Sequence, residues 1–421
     1  MVIPLLLGMY WFLYSMNIDL AIRILRPAII SASLLLALIW TKPSLTWAEL
    51  RLGRTLGVMC VVLIAPSLAA TQPSRALADW FKLVILCGVA LLLSRALRDS
   101  STAEVFGRAL IVGAVLAAVL TVYVYVRFMG FTLPTYASAR VLKSVALHAD
   151  VPLNAVAFSC VFAYICGMCL VRGTRAHLWL GLALFFISSV LTGSRAPLAI
   201  LIVSGLALLV VNGLVTGRPV RRLMTWLVVL GLAAAIVWGT QVITFNQMSA
   251  VTEGRWDFWS VAWQKFTERP LMGYGFDSWR DDLVSRLPGE YRLTSYDAIN
   301  LAGGYHNEYL TLLAEQGLVG LFPVMAVFIF LLRCSWKLAF RPSATWRNGQ
   351  WALFGCIFLL LRASVEAPGL FGYSQEPADY LAFIFLAIVA SRFSVEEDYV
   401  KSARAIAEYR RHCGYPAEAF A

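Results

Sequence analysis

The chain has 421 residues, of which 60% are hydrophobic and only 14% charged, with a mean hydropathy of +0.73. A soluble globular protein carries roughly 25% charged residues, so a soluble enzyme of two or three domains is excluded. The net charge of +11 has no basic soluble segment to reside on, which argues against nucleic-acid binding.

Apolar blocks long enough to cross a bilayer, roughly 20 residues at a 1.5 Å rise, are predicted at 3–20, 27–41, 53–71, 78–95, 107–128, 153–171, 177–192, 196–215, 223–244, 311–332, 350–365 and 378–393. These blocks do not alternate apolar and polar residues, as β-barrel strands would. The expected fold is therefore an all-α polytopic membrane protein of about 12 transmembrane helices, one domain over 1–393. The first block has no Lys or Arg before it and no small-residue cleavage site after it, and reads as a retained helix. The tail 394–421 reads as a cytoplasmic amphipathic helix.

Lys and Arg set the expected orientation. With the amino terminus inside, the inner segments and inner span ends hold 20 of the 35 basic residues, and the outer ones hold nine once the long 245–310 segment is set aside. Both termini are expected inside and the long loop outside. The charge is then mostly a record of topology. Cys60, Cys87, Cys160, Cys166, Cys169, Cys334 and Cys356 fall in or near spans, and Cys413 falls in the tail. The Cys166 and Cys169 spacing sits in an apolar helix with no His or carboxylate nearby, so these are packing residues rather than a redox or zinc pair.

Three polar interruptions share the expected outer side: 129–152, with Arg140, Lys143, His148 and Asp150; 245–310; and 366–377, with Glu366 and Glu376. Within the longest, 252–267 has helical period. Its Trp256, Trp259 and Trp263 form one aromatic stripe that suits the headgroup level. Arg255 stands at the start of this helix, where a cation and free backbone N–H groups favour an anion such as phosphate; a solvated or headgroup-facing arginine is the plainer alternative. Pro270 stops the helix, and Gly273 and Gly275 permit a tight turn, which is expected to return the chain toward the membrane. His306 is the single histidine of the loop and stands at the mouth of a span. A general base at neutral pH and an interfacial hydrogen-bonding residue both fit it. Arg195 lies in a short break between two spans, where arginine is costly unless paired or facing a polar cavity. Lys82, near the outer end of its span, is a weaker candidate that snorkelling explains equally well. Asp281 and Asp282 are adjacent, but no further ligands accompany them, and no metal site or cofactor is expected.

Four segments carry a resemblance: Gly254-Arg-Trp-Asp-Phe-Trp259, Glu268-Arg-Pro-Leu-Met-Gly-Tyr-Gly275, His306-Asn-Glu-Tyr-Leu310 and Ala314-Glu-Gln-Gly-Leu-Val-Gly320, with Ser194-Arg-Ala196 upstream. Their order and spacing resemble the O-antigen ligase family, which also includes O-antigen polymerases and protein O-oligosaccharyltransferases. The resemblance implies a GT-C-like glycosyltransferase of a Gram-negative inner membrane, working on the periplasmic side without metal or nucleotide sugar. The implied donor is an undecaprenyl-pyrophosphate-linked O-antigen, and the implied acceptor of a ligase is a sugar hydroxyl of lipid A–core. The family's essential histidine falls on His306, and its two arginines fall on Arg195 and Arg255. Arg140 and Lys82 are expected to extend the cationic site. The short carboxy-terminal tail and the clear motif set favour ligase over polymerase or protein glycosylation. A transporter of lipid-linked glycans is a more distant alternative, disfavoured because no internal repeat is visible.

Overall fold

A computed structural model of the chain describes residues 46–129, 153–171, 181, 183, 195–216, 255–279, 305–340, 349–364 and 377–412. Spans 3–20, 27–41 and 223–244, most of 177–192, and Arg140, Asp281 and Asp282 lie outside the described residues. Every regular element among the described residues is an α-helix: α1 (Trp47–Leu68), α2 (Pro73–Ala96), α3 (Ser100–Met129), α4 (Leu153–Leu170), α5 (Arg195–Thr216), α6 (Arg255–Glu268), α7 (Glu308–Phe340), α8 (Gly349–Ala363) and α9 (Pro377–His412). Among them α2, residues Ser100–Val119 of α3, and α7 are long and apolar enough to cross a membrane.

Local sequence explains where several of these helices begin. Thr46 and Glu49 form a capping box, with the Glu49 N–H donating to Thr46 Oγ1 at 3.3 Å and the Thr46 N–H donating to Glu49 Oε2 at 2.8 Å. Pro73 opens α2, where its missing N–H is not needed. Asp99 caps α3 by accepting from the Thr102 N–H at 2.7 Å.

Packing follows hydrophobic pattern. Residues 159–170 of α4 and 381–391 of α9 are buried on every side, as a helix apolar all round should be. Phe162 of α4 meets Phe358 of α8 and Phe385 of α9, with ring centroids 5.9 Å and 5.2 Å apart. Around this core α1, α2, α3 and α7 expose Val58, Val61, Phe81, Val112, Val119, Phe322 and Ile329, an apolar exterior that suits lipid rather than water. The described cysteines are free and buried, and Cys166 and Cys169 are fully enclosed, as packing residues are.

The bundle has two distinct ends. At one, Arg98 reaches Asp398 at 3.1 Å and Glu49 at 3.8 Å, Ser394 donates to Thr46 at 2.8 Å, and the Lys337 ammonium lies over the Phe393 ring. At the other, the start of α2 and the start of α7 meet the 255–279 segment, and the end of α8 meets the turn before α7. α9 runs without a break from its apolar first half into its charged second half, past residue 393.

Candidate functional site

Helix α6 buries Phe258, Val261, Ala262 and Lys265, spaced at i, i+3, i+4 and i+7. This face packs on the start of α7 and, with Trp279, Tyr305 and Ala314, forms a small apolar cluster of its own. The tryptophans run beside that face: Trp256 and Trp259 are half-buried with ring centroids 6.2 Å apart, and exposed Trp263 meets Phe266 with tilted rings 5.2 Å apart. The packing stripe of α6 is thus the Phe258 line, one residue out of phase with the aromatic stripe expected from sequence.

The turn after α6 does more than return the chain. α7 breaks at Gly317, whose φ of 60° and ψ of −163° is a region open essentially to glycine alone. A helix break inside a bundle frees backbone groups that must find partners. The turn supplies them. Leu318 and Val319 donate to the carbonyls of Pro270 and Leu271 at 2.9 and 3.1 Å, while Tyr274 and Gly275 donate to the carbonyls of Ala314 and Glu315 at 3.2 and 2.7 Å. The fit is close: a Cβ on Gly317 would come within 2.3 Å of the Leu271 oxygen, and one on Gly273 within 2.4 Å of the Glu315 carbonyl. The two motifs are therefore halves of one joint.

Charge is built into the joint. Lys265 and Glu315 are both fully buried. Lys265 Nζ donates to the Ser278 carbonyl at 2.9 Å, and Glu315 Oε1 accepts from the Trp279 N–H at 3.3 Å, so two buried polar side chains grip one short segment. Asp277, in the left-handed region at φ 59°, pairs with Arg75 of α2 at 2.6 Å. Thr71 donates to the Tyr274 carbonyl at 3.3 Å. The loop is thus bolted to α2 and α7 together. The reading of the sequence missed Arg75, Lys265, Asp277 and Glu315. The signals were a lysine in the apolar stripe of an amphipathic helix and a carboxylate inside an apolar span.

His306 lies in the turn immediately before α7, half-buried, at φ 53°. A non-glycine residue in that region is uncommon, and such residues gather where neighbouring structure holds them for a purpose. Its ring lies 6.0 Å from Phe258 of α6, centroid to centroid. Arg255 is the first residue of α6, one turn before Phe258, so it belongs to the helix side that meets His306. Arg195 is the first residue of α5, which packs on α8. Lys82 is on α2, two turns past Arg75; its ammonium is committed to Asp79 at 2.6 Å with the side chain 44% exposed. The structure therefore brings His306 to the helix that carries Arg255, and gives Lys82 a carboxylate partner within its own helix.

This arrangement sets a half-buried imidazole against the helix whose first residue is Arg255. It suits proton removal from a hydroxyl next to a bound anion. A comparison with curated proteins finds no match. The family model described as O-Antigen ligase matches residues 180–325, a stretch that contains Arg195, Arg255, Lys265, Asp277, His306 and Glu315. That stretch, which holds both halves of the joint and the histidine between them, is what the chain shares with the O-antigen ligase family.

Proposed function

We propose that the chain is an O-antigen ligase: a GT-C-like enzyme of about 12 transmembrane helices in a Gram-negative inner membrane, with both termini cytoplasmic and its site on the periplasmic side. The domain 1–393 carries the chemistry and 394–421 forms a cytoplasmic tail. The donor is a glycan on undecaprenyl pyrophosphate and the acceptor a sugar hydroxyl of lipid A–core. The observation that supports this reading most is His306, held in an uncommon backbone conformation against α6 within the family-matched stretch.

The chemistry needs a base and cations, and no metal is invoked. His306 accepts the proton of the attacking hydroxyl as its oxygen bonds to the anomeric carbon. The bond from that carbon to the pyrophosphate oxygen breaks, the lipid pyrophosphate departs, and in-line attack inverts the centre. Arg255 and Arg195 hold the developing phosphate charge, for which planar guanidinium forks are suited. Arg140 and Lys82 extend the cationic surface, Lys82 more weakly because Asp79 already neutralises it.

The test uses purified protein with undecaprenyl-pyrophosphate glycan and lipid A–core. A higher-mass lipopolysaccharide band from wild type that is lost in His306→Ala is the expected result. A band that survives His306→Ala discards the base and keeps the ligase. No band with lipid A–core, but a longer lipid-linked glycan or a glycosylated protein, moves the assignment to a polymerase or a protein O-oligosaccharyltransferase. Movement of the lipid-linked glycan across the bilayer without transfer moves it to a transporter.

A further inference from the structure

Residue 307, between the histidine and α7, has a side chain that serves two helix ends at once. Asn307 Oδ1 accepts from the Leu310 N–H at 3.1 Å, capping the amino end of α7. Its Nδ2 donates to the Ser364 carbonyl at 3.0 Å, at the carboxyl end of α8. Both ends have backbone groups with no partner inside their own helix. Tyr309 adds a second tie, its hydroxyl donating to the Leu360 carbonyl at 3.0 Å. On the other side of His306, Tyr305 is completely buried in the α6 cluster. His306 thus sits between a buried anchor and an amide that needs both its donor and its acceptor, and its φ of 53° is imposed from both sides.

We infer that Asn307 is a positioning residue: through its twin hydrogen bonds to α7 and α8 it fixes the backbone that aims the His306 imidazole. The inference rests on the proposed role of His306 as base. Serine at 307 keeps a capping oxygen and loses the donor to Ser364. The cap then survives while the turn gains freedom, and a misplacement of about 1 Å at a reacting group lowers rate by roughly a hundredfold.

The experiment compares wild type, Asn307→Ser, His306→Ala and the double variant as full-length protein in lipid nanodiscs. Three readouts are taken: transfer kinetics with lipid A–core, the rate of carbethoxylation of His306 by diethyl pyrocarbonate followed by mass spectrometry, and thermal midpoint. For Asn307→Ser the expected result is a kcat lower by about tenfold to a hundredfold with KM within about twofold. Carbethoxylation of His306 is expected to be several-fold faster at a similar midpoint. The double variant should be no slower than His306→Ala alone, because the asparagine acts only through the histidine. The inference is overturned by unchanged kcat and unchanged carbethoxylation, or by a double variant that loses the full Asn307→Ser factor on top of His306→Ala. Wild type inactive toward every acceptor would remove the proposed function instead, and the carbethoxylation rates would still decide whether Asn307 fixes His306. If Asn307→Ser does not fold, Asn307→Asp replaces it, since it keeps the cap and the volume and lacks the donor.

Discussion

Lys265 and Glu315 hold the 278–279 segment from two helices, and neither has any exposure to solvent. Removing either side chain takes a hydrogen bond from a buried backbone group, typically at about 1–3 kcal/mol. Lys265→Met and Glu315→Leu should therefore each lower the thermal midpoint of the detergent-solubilised protein by several degrees. The double variant should fall by less than the two single losses together, since both side chains grip one segment. Additive losses would mean that the two grips are independent. Asp99 is a simpler case, an exposed cap at the start of α3. Hydrogen bonds from the Ser101 hydroxyl and then from the Thr102 backbone hold its carboxyl down at about 2. A carboxylate lowered in the folded state contributes stability that is fully present above its unfolded value near 3.9 and is lost as pH falls through about 2. Asp99→Ala should cost about 1 kcal/mol at neutral pH, and its deficit relative to wild type should shrink only below about pH 4. A deficit that disappears between pH 7 and pH 5 would remove this account. His306, Arg255 and Arg195 were legible as candidates because a histidine at the mouth of a span, an arginine at a helix start and an arginine in a short break between spans each stand where a partner or an anion is called for. Arg75 and Asp277 were not, because each looks like an ordinary solvated charge until the chain between them is closed.

At the scale of elements, the turn 269–275 and the break in α7 are read together or not at all. Gly317 tolerates no side chain: a Cβ would enter the Leu271 carbonyl, and the backbone region itself excludes other residues. Gly317→Ala should therefore destabilise by more than the 1–3 kcal/mol of the strained conformation alone. It should also free the loop, which limited proteolysis near Arg269, an exposed residue of the turn, would detect as faster cleavage. Unchanged cleavage would mean that the joint does not depend on the break. The sequence showed a glycine in each motif and a proline that ends α6. It did not show that the carbonyls of one motif receive the N–H groups of the other, because hydrogen-bond partners remote in sequence leave no local pattern. The tryptophan stripe is a related lesson. Periodicity marks several possible faces on a 14-residue helix, and the face that packs is chosen by the shape of α7.

At the scale of the molecule, the described helices divide polar features between two ends. The joint, His306 and the α8 terminus share one end, and the Arg98, Glu49 and Asp398 cluster occupies the other. Cysteine reporters test how these ends face the cell, since the described native cysteines are buried. Ser260 on α6 and Ser402 on α9 are exposed. Ser260→Cys should react with a membrane-impermeant maleimide in intact spheroplasts, and Ser402→Cys only after lysis. The reverse pattern would invert the proposed topology, and equal labelling would place both ends on one side.

The sequence by itself determined that the chain is helical and apolar, where most described helices run, and which motifs it carries in which order. Those properties are written in composition and in short periods, and each is decided within about 20 neighbouring residues. Only the tertiary structure decided that Arg75 meets Asp277 across a separation of 202 residues, that Asn307 joins two helix ends, and that a loop motif completes a broken helix. Such pairings are selected by which surfaces can be buried together and which freed backbone groups must be satisfied. That choice is made by the whole packed bundle, and no single segment encodes it.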